Sequence, residues 1–88
     1  MLKARAHPDF WHCFNRLPEE VQNQARRRYS LWERDPRHRS LHFKKIRDDL
    51  WSVRVSRDYR ALAVKDDAGW IWFWIGPHTE YDKILAGK

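Results

Sequence analysis

Trp70-Ile71-Trp72-Phe73-Trp74-Ile75 is an unbroken run of six apolar residues closed by Gly76-Pro77, and it restricts the fold more than any other stretch of the chain. A run so apolar and so short reads as a buried strand, and one that is greasy on both faces suits a central place in its sheet. The Gly-Pro turn that follows carries His78 and Tyr81. An imidazole and a phenol are thereby delivered to the edge of a rigid platform.

The rest of the chain divides at Pro36. Before it the apolar spacing is helical. Pro8 suits the first position of a helix in which Phe10, Phe14 and Leu17 share a face with Cys13. Pro18 starts a second helix, with Glu19 and Glu20 where the dipole favours negative charge and Val21, Ala25, Tyr29 and Trp32 along one face. Asp35-Pro36 stops it, because a residue before proline avoids helical angles. The two helices form an antiparallel hairpin.

After Pro36 the period becomes two. Leu41 to Ile46 reads as a strand and Asp48-Asp49 as a turn. Trp51, Val53 and Val55 then alternate with Ser52, Arg54 and Ser56, so one face packs on helices and the other meets solvent or ligand. Tyr59 to Lys65 returns, and Asp66-Asp67-Ala68-Gly69 turns into the final apolar strand. The first few residues add a possible short strand, and Tyr81 to Leu85 a short C-terminal helix. The expected fold class is therefore α+β: a single domain over residues 1–88, with an N-terminal helix hairpin on a small, mainly antiparallel twisted sheet of four to five strands.

The parity of Arg54 and Arg60 turns on the connection between them. A two-residue turn that pairs Ser56 with Tyr59 sends the arginines to opposite faces, and a bulge of one residue makes them converge. Arg60 also alternates with Leu62 and Val64, which leaves a buried arginine paired with Asp58 as an alternative.

A chain of 88 residues buries only about 60 to 65% of its unfolded surface, so its core must be dense in large side chains. Six Trp, four Phe and three Tyr supply them. The formal charge is +6, and between Arg26 and Arg60 twelve Lys or Arg stand against five acids. Such a balance suits a protein that meets polyanions. Arg26-Arg27-Arg28 reads as either a solvated helix face or a contact for a polyanionic partner. One cysteine, Cys13, excludes an internal disulfide and suits a reducing compartment. Met1 to Ala6 lacks a signal-peptide core and no segment is long enough to span a bilayer, so a cytoplasmic location without membrane contact is expected. His38 and His42 are spaced as a metal pair only on a helix, which Pro36 argues against; neither metal nor cofactor is expected.

The order of elements, the stretch WSVRVSRDYRALAV, the pair Tyr59-Arg60 opening a strand, and the stretch WFWIGPHTEYDKIL with His78 to Tyr81 after the last strand together resemble the RelE/ParE superfamily of bacterial type II toxin–antitoxin toxins. Leu17-Pro18-Glu19-Glu20-Val21-Gln22 and Asp35-Pro36 fit the same pattern, so the resemblance covers nearly the whole chain. Within the RelE-like branch, it implies a metal-free endoribonuclease that cuts messenger RNA presented by the ribosome and leaves a 2′,3′-cyclic phosphate. Arg54 and Arg60 fall where phosphate-binding and transition-state-stabilising side chains sit. His78 falls where a proton donor to the leaving group sits, and Tyr81 where an aromatic orients the nucleotide. Where some relatives carry a catalytic carboxylate this chain has Arg39, which leaves His42, Asp58 and Glu80 as alternatives for the general base.

The chemistry of that step asks for the same residue types. Cleavage through the 2′-hydroxyl needs a base, cations for the crowded phosphorane and an acid for the departing 5′-oxygen. Histidine serves either proton step near neutral pH, and arginine matches phosphate oxygens with planar donors. Lys44, Lys45, Arg47, Arg57 and Arg39 supply further phosphate-binding groups. The resemblance also implies an acidic antitoxin that folds on the toxin, and operator DNA bound only through that complex. The alternatives are a ParE-like toxin that binds DNA gyrase and a non-catalytic RNA-binding relative.

Overall fold

Proline marks the start or end of each helix of the N-terminal pair. The computed structural model describes residues 3–87. A short strand β1 (Ala4–Ala6) leads into α1 (Pro8–Asn15), whose first proline sits where its missing N–H is not needed and whose Asp9 N–H donates to His7 Nδ1. Pro18 caps α2 (Glu19–Arg34), and Asp35 ends it in extended geometry ahead of Pro36. The side chain of Gln22 donates to the Phe14 carbonyl at 3.0 Å and ties the pair together. Of the strand expected in the first few residues, Met1 and Leu2 lie outside the described residues.

The strand expected at Leu41 to Ile46 is displaced. Arg39–Leu41 forms a 3₁₀ turn whose Ser40 N–H is capped by His38 Nδ1, and His42 takes a left-handed φ of 46°. Leu41 is thereby driven fully into the core, so burial of one leucine wins over alternation. β2 (Lys44–Arg47), β3 (Leu50–Arg54), β4 (Tyr59–Asp66) and β5 (Gly69–Pro77) follow as an antiparallel meander. The sheet order is β1-β5-β4-β3-β2, with β1 parallel to β5. β5 is interior, as its composition requires, and β4 is the middle strand. The C-terminal helix is longer than expected: α3 runs from His78 to Ala86, and β5 continues through Gly76-Pro77 without a separate turn.

One extra residue in β5 distributes its tryptophans. Leu62 pairs with Trp74 and Ala63 with Trp72, leaving Phe73 unpaired. Trp70, Trp72 and Ile75 therefore face the helix pair with Val53, Val55, Ala61 and Ala63, and Trp74 turns to the other side with Leu62. On the helix side, Trp32 of α2 is 1% exposed and meets Phe43, Trp70 and Trp72 edge to face at 5.2 to 6.0 Å between ring centroids. Each such aromatic pair adds about 0.5 to 1.5 kcal/mol beyond the area it buries. The other face is covered in part by α3. Ser52, expected to meet solvent or ligand, is only 2% exposed, because a fully buried Leu62 and a half-buried Trp74 beside it demand a cover.

Candidate functional site

Arg54 and Arg60 stand directly opposite each other on β3 and β4, which places them on one face of the sheet. Both alternatives for the connection occur at once. Ser56 and Tyr59 close a two-residue turn, and Val55 and Ser56 both donate to the Tyr59 carbonyl, at 3.0 and 3.3 Å. Two residues thus oppose one, and the bulge brings the arginines together. Both are half-buried. Among the described residues neither forms an ion pair, so the pairing of Arg60 with Asp58 is not adopted. Instead, Arg60 Nη1 donates to the carbonyls of Ser56, Tyr59 and Arg57 at 2.7, 3.0 and 3.2 Å. Two hydrogens shared among three carbonyls hold the turn closed and fix one end of the guanidinium.

α3 crosses the same face. The Tyr81 hydroxyl donates to Ser52 Oγ at 3.3 Å, and Ser52 lies two residues from Arg54 on the same side of β3. His78 opens α3, and its backbone N–H donates to the Asp58 carbonyl at 2.8 Å, which fastens the helix start to the β3–β4 turn. Its imidazole Nδ1 stands 3.6 Å from Asp82, one helical turn on, and the ring is 44% exposed. No hydrogen bond joins the imidazole to Arg54 or Arg60 among the described residues. Trp74 completes the surroundings. Its ring lies over Gly76, the partner of Arg60 across β4 and β5, so closely that a Cβ there would sit 2.7 Å from the indole.

The outlying cations divide by register. Lys44 is opposite Ser52 and Arg47 opposite Leu50, on the Arg54 side, whereas Lys45 is opposite Trp51 and falls on the other. Arg57 is exposed in the β3–β4 turn and Arg39 in the 3₁₀ turn. Of the alternatives for a base, His42 is exposed at its left-handed residue, and Asp58 is exposed in the turn that holds His78. Glu80 lines a 170 Å³ cavity with Tyr59, Trp74 and the α1–α2 connection. Arg28 is neither a solvated residue nor free for a partner: its Nε donates to the Val55 carbonyl and its Nη1 to Ser40 Oγ, bracing α2 to the end of β3. A larger cavity of 530 Å³ lies between the helix pair and the sheet. Neither cavity is lined by Arg54, Arg60, His78 or Tyr81.

Sequence reasoning missed Asp82 and Trp74, and it placed Ser52 on this face without its bond from Tyr81. Asp82 is visible as a neighbour of His78 only once the helix is known to begin at His78. Trp74 reaches this face only because of the unpaired Phe73, which no local pattern announces. The face carries two guanidinium groups, an aromatic hydroxyl and an indole, and the His78 imidazole is 44% exposed at the start of the helix that crosses it.

The ParE-like toxin domain family matches residues 19–83, from the start of α2 into α3. The chain belongs to this family of ParE-like toxin domains. The fold of the toxin domain is shared with solved structures at low identity. YafQ from E. coli superposes with a TM-score of 0.73 at 9% identity, over 92% of this chain and 98% of that one. The RelB–RelE antitoxin–toxin complex of Methanococcus jannaschii gives 0.70 at 13% identity, over 89% and 95%. The RelBE2 toxin–antitoxin complex of Mycobacterium tuberculosis gives 0.69 at 18%, over 86% and 96%. No curated protein matches the toxin domain in sequence. No helix among the described residues is long and apolar enough to cross a membrane.

Proposed function

We propose that this toxin domain is a metal-free endoribonuclease that cuts messenger RNA on the ribosome and so arrests translation. The observation that carries the reading is the register Arg54 opposite Arg60, on the face that Tyr81 crosses and beside the turn to which His78 is bonded. The ribose 2′-hydroxyl gives its proton to solvent water as its oxygen attacks phosphorus, the P–O5′ bond breaks, and a 2′,3′-cyclic phosphate remains. Arg54 and the free edge of Arg60 stabilise the phosphorane, and His78 gives its proton to the departing 5′-oxygen. Tyr81 and Trp74 orient the unpaired base by stacking. Lys44 and Arg47 hold the flanking phosphates from the same side of the sheet.

An acidic antitoxin would neutralise this surface. Two of the solved relatives are toxin–antitoxin complexes, and a cationic domain of this size suits an acidic segment that folds on binding. Operator DNA would be bound through that partner.

The family description favours one other reading, a ParE-like toxin that acts by binding DNA gyrase. Incubation with messenger RNA in a translating extract, and separately with gyrase and supercoiled plasmid, separates the two. Cyclic-phosphate ends on the message are expected. Intact message together with cleaved or relaxed plasmid overturns the ribonuclease reading.

A further inference from the structure

The 170 Å³ cavity lies where the α1–α2 connection meets the end of β5 and the first turn of α3. It is smaller than the range of about 300 to 1,000 Å³ that takes whole small molecules, which leaves the scale of a single planar ring system. Trp74 and Gly76 line it, and Gly76 is the β5 partner of Arg60. The cavity thus adjoins the arginine face. Its lining also brackets His78 in sequence, with Pro77 before it and Glu80 after.

Both signs of charge are present in the lining. Arg16 closes α1 and Glu80 is the third residue of α3, and both are exposed. Among the described residues neither side chain forms an ion pair or a hydrogen bond. Helix dipoles favour an arginine after α1 and a carboxylate at the start of α3. They do not explain why opposite charges lining one small cavity leave each other unpaired.

Such a pair discriminates among nucleobases. Guanine presents two adjacent donors, N1–H and the N2 amino group, and two acceptors, O6 and N7, which match a carboxylate and a guanidinium respectively. Adenine and cytosine each place a ring-nitrogen lone pair beside the amino group, where it would oppose a carboxylate. Uracil offers a single N–H between two carbonyls. Unpaired RNA bases are read by ring stacking together with hydrogen bonds to their edges, and Trp74 supplies the ring.

We propose that this cavity is a base-specificity pocket that seats a guanine beside the scissile phosphate, with Glu80 on N1–H and the N2 amino group and Arg16 on O6 and N7. The inference rests on the ribonuclease reading, because it takes the ligand to be a base of the RNA that the Arg54 face holds.

Binding is measured apart from cleavage. Trinucleotides with hydrogen in place of every 2′-hydroxyl cannot be cut, and a set that differs only in the middle base is titrated into the ¹⁵N-labelled full chain while the Trp74 indole resonance is followed. The guanine member should bind on the order of tenfold more tightly than the adenine member. Glu80→Gln should erase most of that ratio, because an amide accepts from adenine's amino group and donates to its N1. Arg16→Gln should reduce it. Unchanged thermal unfolding confirms that each variant is folded. Messages that differ at the same base are then compared in the translating extract, where wild type should prefer guanine and Glu80→Gln should not. Equal affinity for all four bases overturns the pocket, as does a binding ratio that survives Glu80→Gln. In the second case, a uniform loss of cleavage at every base marks Glu80 as a proton acceptor instead. Guanine-selective binding that depends on Glu80, without cyclic-phosphate ends on any message, supports the pocket and overturns the ribonuclease reading.

Discussion

Arg54 and Arg60 face each other across two strands but are held differently. Arg60 is anchored to three turn carbonyls, while the Arg54 guanidinium makes no hydrogen bond among the described residues. Replacing Arg60 by Ala removes donors from three carbonyls and loosens the turn that holds His78, so its activity loss must be read beside a stability measurement. His78 offers the cleaner probe, since among the described residues its imidazole makes no hydrogen bond and its one ion-pair partner is Asp82 at 3.6 Å. His78→Gln should lower the cleavage rate by about 10² to 10⁴ with RNA affinity nearly unchanged, as measured by single-turnover kinetics and a binding titration. A wild-type rate in the folded variant would remove His78 from the mechanism. Tyr29 supplies a test by pH. Burial, then the Glu33 carboxylate and a hydrogen bond with it, raise the phenol above its ordinary 10.0. Its pKa is therefore higher folded than unfolded, and the associated stability is whole below pH 10 and lost as pH rises through the folded value. Chemical denaturation of the wild type and Tyr29→Phe across pH 9 to 11 should show a smaller alkaline loss in the variant.

At the scale of elements, what could be read in advance follows from how local each cause is. α1 and α2 were legible because Pro8, Pro18 and Asp35-Pro36 mark their ends and Phe14, Val21 and Trp32 mark their buried face. The meander was legible because Val53 and Val55 alternate with polar residues. The bulges were not. Val55-Ser56 against Tyr59, and the unpaired Phe73, decide which face Arg54 and Trp74 occupy, yet each is selected by long-range packing rather than by its own residue type. The 3₁₀ turn at Arg39–Leu41 escaped for the same reason, since its driving force is the place that Leu41 fills in a core built by other elements. β1 is the most fragile element, with three residues on one neighbour. Its entry depends on Gly69, where φ is +132° and an added Cβ would lie 2.5 Å from the Lys3 carbonyl, which accepts from the Trp70 N–H. Gly69→Ala should destabilise the fold by about 1 to 3 kcal/mol and raise hydrogen exchange at Trp70, as strain and clash detach the strand. Unaltered exchange there would mean that β1 contributes nothing to the sheet.

The whole molecule places its apolar layer between sheet and helix pair and its candidate RNA surface on the reverse of the same sheet. A net charge of +6 attracts any polyanion, so affinity alone cannot show which side RNA uses. Register can, because β2 is an edge strand whose cations point both ways: Lys44 and Arg47 with Arg54, Lys45 with Trp51. Removing one cation that neutralises a phosphate lowers the slope of log affinity against log salt by roughly 0.7 for single strands, so Lys44→Gln with Arg47→Gln should reduce it by about 1.4. Lys45→Gln removes the same charge from the neighbouring residue and should leave the slope unaltered. Long-range attraction depends on total charge and predicts a similar effect for each lysine, whereas direct phosphate binding predicts the difference. Measurements with a catalytically silent His78→Gln background keep the RNA intact during titration. Equal slopes for Lys44→Gln and Lys45→Gln would mean that RNA does not lie along the Arg54 face.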